Sequence, residues 1–250
     1  MAAAPTVWQH LDRSRVYLNA AGRTPLPACV LSAGEVAVRH KATTPWSIGD
    51  TEGDKDDVRA LFARMLGGGA AARDIAVVPC CSYAMSMAAE NLRGHLRARP
   101  PGRRRVAVLQ DQNPANVMMW QKLCEDEGGE LLVIARPANA DWAQAVVAAL
   151  QLGTLAICAL PPCHWCDGSI VDLERVAASC RDAGAALVVD ATQWIGAAPP
   201  LDVVALGICF LACSIHKWLL GPCTRRGPFP NAPALHPAPF TPTSRHGRHA

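Results

Sequence analysis

The sequence predicts an α/β protein: a mostly parallel sheet with helices on both faces. Three observations predict it. Short runs rich in Val, Ile and Leu recur along the chain. Between them lie stretches of about 10 to 15 residues with apolar positions at helical spacing. Glycine and proline punctuate the joints. Strands buried on both faces read as continuous apolar runs, and helices that return the chain cover those faces.

The elements follow in order. Residues 1–57 form an N-terminal segment, with a turn-rich entry, "YLNAAGRTPLP", and a helix, "LPACVLSAGEVAVRHKA". "DVRALFARMLG" is helical and stops at Gly67 to Gly69. Candidate strands are Ile75–Val78, Val106–Leu109, Leu131–Ile134, Leu155–Ala159, Ala186–Val189 and Ile208–Ala212. Helical patterns lie at Ser82–Leu96, Asn116–Glu127, Trp142–Leu150 and Leu173–Ala183. The unit they build runs from 58 to 222. Residues 223–250 differ in kind: six Pro in 28 residues, four Arg, no acid and no periodicity. Such a Pro/Arg-rich tail cannot bury a core and is expected to be disordered.

Composition excludes several classes. The net charge is +3, and without the tail the chain carries 20 basic and 21 acidic residues. No basic stripe points to nucleic acid. No run of about 18 apolar residues points to a membrane helix. The eleven Cys are scattered, often inside apolar runs, and fit free thiols better than a disulfide framework. The start lacks an apolar signal core, so a cytoplasmic location is expected, with a mitochondrial one left open. "CHWC", Cys163 to Cys166, lacks a second ligand pair, so no metal is expected. "LGGGAAARD" has no preceding strand and no following "GK[ST]", and no G-x-G-x-x-G follows the first strand, which argues against a nucleotide loop.

In a parallel sheet, ligands bind beyond the carboxyl ends of the strands. Four such ends carry chemistry. After Ile75–Val78, Ser82 and Tyr83 open a helix; after Val106–Leu109 comes "QDQNPANVMMW"; Asp190 and "ATQ" follow Ala186–Val189; Ser214, His216 and Lys217 follow Ile208–Ala212. A helix N-terminus with a hydroxyl offers an anion site. An anion site, an acid and an amine are together what pyridoxal phosphate requires. Each residue also has an ordinary reading. Lys217 could be a solvated lysine, Asp190 a turn cap, Gln193 a surface residue, Ser82 a plain N-cap and His216 a packed histidine.

From Tyr17 to Pro222 the chain resembles the class V aminotransferase family of fold type I pyridoxal-phosphate enzymes. That family also holds cysteine desulfurases, kynureninase and isopenicillin-N epimerase-like proteins. The resemblance is carried by "YLNAAGRTPLP", "VPCCSYAMS", "NPANVMMW", "HWCDGSIVDL", "DATQWIGAAPPLD" and "HKWLLGP". Each piece alone is weak; six in order are strong. The resemblance implies the large domain of that fold, with the following roles. Lys217 is the Schiff-base lysine and Asp190 the partner of the pyridinium nitrogen. Gln193 binds the ring hydroxyl. Ser82, the backbone at Tyr83, Ser214 and His216 take the phosphate. Asn113 stands where the family usually stacks an aromatic ring or a histidine, and an amide stacks less well. His164, in "HWCDG", belongs to the substrate side or to a structural turn. A homodimer acting on an amino acid is implied. The match breaks after Pro222, where the family continues into a further strand and a small C-terminal domain, so a chain truncated there is expected. Cysteine desulfurases carry their nucleophilic cysteine in that later region, and desulfurase activity is not assigned. Intact Lys217, Asp190 and Gln193 favour an enzyme. The alternative is a catalytically impaired chain that binds cofactor weakly or serves as a partner subunit.

Overall fold

The computed structural model describes residues 8, 10–12, 14–49 and 52–222. The expectation for the tail, residues 223–250, lies outside them. The helices are α1 (Ala28–Thr43), α2 (Glu52–Leu66), α3 (Cys81–Arg97), α4 (Met118–Glu127), α5 (Trp142–Gln151) and α6 (Leu173–Ala183). The strands are β1 (Arg105–Leu109), β2 (Glu130–Ile134), β3 (Leu155–Leu160), β4 (Ala186–Asp190) and β5 (Ile208–Ala212). Every pairing is parallel, and the order is β2-β1-β3-β4-β5. β3 and β4 are central and buried along their whole length, which is why "LAICAL" and "ALVVD" are almost entirely apolar.

Successive strand residues point to opposite faces. Val106, Val108, Ile157 and Val188 face a layer containing α3 and α4 residues. Leu109, Leu160, Leu187 and Val189 face α5 and α6. The helices between strands start and stop where the chain supplies caps. Asp141 Oδ1 accepts from Gln144 N at 2.9 Å, and Asp172 Oδ1 from Arg175 N at 3.1 Å. Gly128 and Gly184, both at φ +62°, end α4 and α6 in the left-handed conformation that glycine tolerates. α3 and α4 are clamped by Glu127. Its carboxylate accepts from Arg97 at 2.7 and 2.8 Å and from Arg93 at 2.7 Å. The Arg97 and Arg93 guanidiniums hold its pKa down at about 2.

One expected strand does not form. Ile75 is extended, but Ile75–Val78 pairs with no strand among the described residues. The Ile75 N–H is spent on Ala72 O at 3.1 Å, closing a short turn. Ile75 packs against the core, while Ala76 and Val77 are exposed. α2 begins earlier than the apolar pattern implies, because Glu52 and Asp54 sit in its first turn, where the helix dipole favours acids. α1 buries no residue. The carboxyl ends of β1, β3, β4 and β5 and the start of α3 open on one side of the sheet, and the candidate site lies there.

Candidate active site

Lys217 stands in a loop fixed by backbone geometry. Leu220 N donates to Lys217 O at 3.0 Å and Gly221 N to Ile215 O at 2.8 Å. Gly196, at φ +93°, lets this loop come close: a Cβ there would lie 2.6 Å from Trp218 O. Gln193 ties the loop from the side. Its Oε1 accepts from Trp218 Nε1 at 2.8 Å, and its Nε2 donates to Ala21 O at 3.2 Å. The "YLNAAGR" segment is thereby drawn against the site. The Lys217 amine itself makes no hydrogen bond or ion pair among the described residues.

A cavity of about 360 Å³ opens beside it. Ser82, Asn113, Asp190, Gln193, Ser214, His216 and Lys217 all line it. Tyr83 does not; its side chain is exposed, and it stands in the first turn of α3. α3 begins one residue earlier than expected, with Cys80 as N-cap and no side-chain cap. The N–H groups of Cys81, Ser82 and Tyr83 have no acceptor among the described residues, and no acid sits in this first turn. These N–H groups and the positive end of the helix dipole suit an anion.

Asp190 ends β4. It is buried, forms no ion pair among the described residues, and accepts from Thr192 N at 3.1 Å. A buried carboxylate without a cation is costly, and a ligand carrying an N–H⁺ would relieve it. Burial first, and then the charges of Lys217 and Arg23, push the His216 pKa below its ordinary 6.5. Burial, with the Asp190 carboxylate second, raises the Cys81 thiol well above the usual range. The same two causes push Cys213 up to about 12, with Lys217 pulling the other way.

His164 lies behind the cavity. It is fully buried, stacked on Trp142 with centroids 5.3 Å apart, and its Nε2 meets Gln110 O at 2.9 Å. It fixes the loop that places its neighbours Cys163 and Trp165 in the lining. Asn113 caps a short turn, with its Oδ1 accepting from Ala115 N at 3.0 Å. Trp165 is an aromatic ring in the same cavity that sequence reasoning left within a loop motif. Cys81, Thr192 and Gln112 were missed too, although Thr192 stands between two residues that were named. A larger, open groove of about 440 Å³ beside α2 carries Asp56, Arg59 and Arg73, and Asp56 there pairs with Arg59 at 2.8 Å.

Comparison with known proteins places the chain in a family. The profile of the aminotransferase class-V family matches residues 16–223. The chain belongs to this family. Among similar proteins is a cysteine desulfurase of Yersinia pestis (strain Pestoides F), 27% identical over 214 residues, covering 83% of this chain. The chain spans about half the length of the curated relatives it matches, 51% in this case. Among solved structures, the cysteine desulfurase CsdA from Escherichia coli superposes with a TM-score of 0.69 at 22% identity, over 86% of this chain and 54% of its own. A C-DES mutant with glycine covalently linked to its pyridoxal-phosphate cofactor superposes at 0.66 and 19% identity, over 84% and 55% of the two chains. The sheet is that of the large domain of fold type I pyridoxal-phosphate enzymes.

Pyridoxal phosphate is the cofactor of this class V family, and the residues present fit it. Among the described residues, three helix N–H groups without acceptors suit its phosphate, Asp190 without an ion-pair partner suits its ring nitrogen, and the Lys217 amine without a partner suits its aldehyde.

Proposed function

We propose that this chain is the cofactor-binding part of a pyridoxal-phosphate-dependent enzyme that acts on an amino acid through Lys217. One observation carries the reading. A free amine, an unpaired buried carboxylate and an uncapped helix start converge on one cavity at the carboxyl edge of the sheet.

When bound, pyridoxal phosphate supplies an electron sink for bonds at the α-carbon of an amino acid. The N–H groups opening α3, with Ser82, Ser214 and His216, hold its phosphate. Asp190 holds the proton on its ring nitrogen. Gln193 donates its remaining amide N–H to the ring hydroxyl. Lys217 would supply the amine that holds the cofactor's aldehyde, and its Nζ would be the group placed to take and return a proton at the substrate α-carbon. His164, packed on Trp142, positions the loop carrying Trp165 on the substrate side. The outer edge of β5 has no strand partner among the described residues. That edge favours a second reading, in which the chain serves as a partner subunit.

Absorbance spectra with added pyridoxal phosphate test the first reading. The wild-type protein is expected to show a visible band that borohydride abolishes, and Lys217→Ala is expected to lack it. Folded wild-type protein without the band would turn the assignment toward the partner-subunit reading.

A further inference from the structure

We infer that Thr192 is a positioning residue for this site, its amide and hydroxyl holding Asp190, the first turn of α3 and the Lys217 loop in one register. The inference rests on reading the cavity as the cofactor site. Thr192 N donates to Asp190 Oδ1 at 3.1 Å. Its hydroxyl accepts from Ser214 N at 3.1 Å and donates to Cys81 Sγ at 3.6 Å, a reach the larger sulfur allows. A backbone N–H can only donate, so the hydroxyl accepts from Ser214, which leaves its single proton available to Cys81.

Each contact lands on a different part of the site. Asp190 ends β4, Cys81 is the first residue of α3, and Ser214 stands three residues before Lys217. Cys81 lies 111 residues from Thr192 in sequence and Ser214 lies 22 away, so one side chain joins distant segments. The Lys217 amine has no partner of its own among the described residues. Its location therefore depends on what anchors its loop. Gln193, through Trp218, anchors the loop after the lysine; Thr192, through Ser214, anchors it before. Thr192 is buried and lines the cavity, so water does not readily replace these bonds. A valine fills the same space but neither accepts from Ser214 nor donates to Cys81. A serine does both.

The experiment compares Thr192→Val and Thr192→Ser in the full chain. Hydrogen exchange at the Ser214 amide is measured without cofactor, and pyridoxal-phosphate affinity by titrating the visible band. Thr192→Val is expected to speed exchange and weaken affinity, each about tenfold, as loss of one buried hydrogen bond implies. Thr192→Ser is expected to stay within about threefold of wild type in both, its hydrogen bonds being retained. If Thr192→Val does not fold, Thr192→Ala replaces it. Unchanged exchange in the valine variant, or a serine variant that behaves like valine, overturns the inference. A wild-type protein that takes no cofactor defeats the reading of the cavity instead, and Ser214 exchange then decides the positioning role alone.

Discussion

Helices α1 and α3 are nearly equal in length, 16 and 17 residues, yet α1 buries none of its residues and α3 buries six. Both contain many apolar side chains, so content does not separate them. Spacing does. In α3 the residues Met85, Ala88, Ala89, Leu92 and Leu96 recur every three or four positions and form one stripe against the sheet. In α1, Val36 and Val38 stand two apart, on different sides of the helix, and both are exposed. The functional consequence follows from the packing. The helix that offers its N–H groups to the cavity is the one locked along its length to the sheet.

Replacing Leu96 should give the largest effect on this contrast. It is fully buried under α3. Leu96→Ala removes its contacts and leaves a cavity, so a loss of about 2–5 kcal/mol is expected in urea unfolding. A loss under about 1 kcal/mol, below the ordinary range for such a truncation, would mean α3 is not anchored as described.

Glu127 comes next, because it ties α3 to α4. Its pKa is depressed to about 2 from an ordinary 4.5, so its contribution to stability is fully present above pH 4.5. That contribution is lost as pH falls from 4.5 toward about 2. Glu127→Gln should lower the melting temperature at neutral pH, and the gap to wild type should close through that window. A gap that persists at pH 2 would show that the ion pairs do not carry it.

His216 should give a smaller effect of the same sign, in a window at higher pH. Its folded pKa lies below 6.5, because burial and the nearby Lys217 and Arg23 charges oppose protonation. Protons then bind the unfolded chain more readily, and stability falls as pH drops below 6.5 through the lowered value. His216→Asn should flatten the melting-temperature slope just below pH 6.5. Equal slopes in the two proteins would remove His216 from this charge cluster.

The same contrast explains what was legible in the sequence. β1 to β5 were visible because strands covered on both faces are continuous apolar runs, and α3 to α6 because their stripes are regular. Ile75–Val78 looks like another strand, but a strand needs a neighbour, and pairing is not written in the run itself. Lys217, Asp190, Gln193, Ser214 and Ser82 were singled out because each follows a candidate strand, and all of them line the cavity. Thr192 and Cys81 were not, because neither has a meaning until the fold brings them together. Glu127 likewise reads as a surface acid until Arg93 and Arg97 arrive from α3, more than 25 residues upstream.

The smallest expected effect tests the other half of the comparison. Val38 is exposed on α1, 72% accessible, and has no buried neighbour on its own helix. Val38→Ala removes a β-branched side chain whose χ1 is restricted in a helix, and alanine is the better helix former. Stability should therefore change by no more than about 0.5 kcal/mol, in the stabilising direction, as surface substitutions usually do. A thermal melt against wild type checks it. Destabilisation above about 1 kcal/mol would be a buried-residue response. The outer surface of α1 would then be covered in solution, and α1 and α3 would differ in what covers them rather than in whether they are covered.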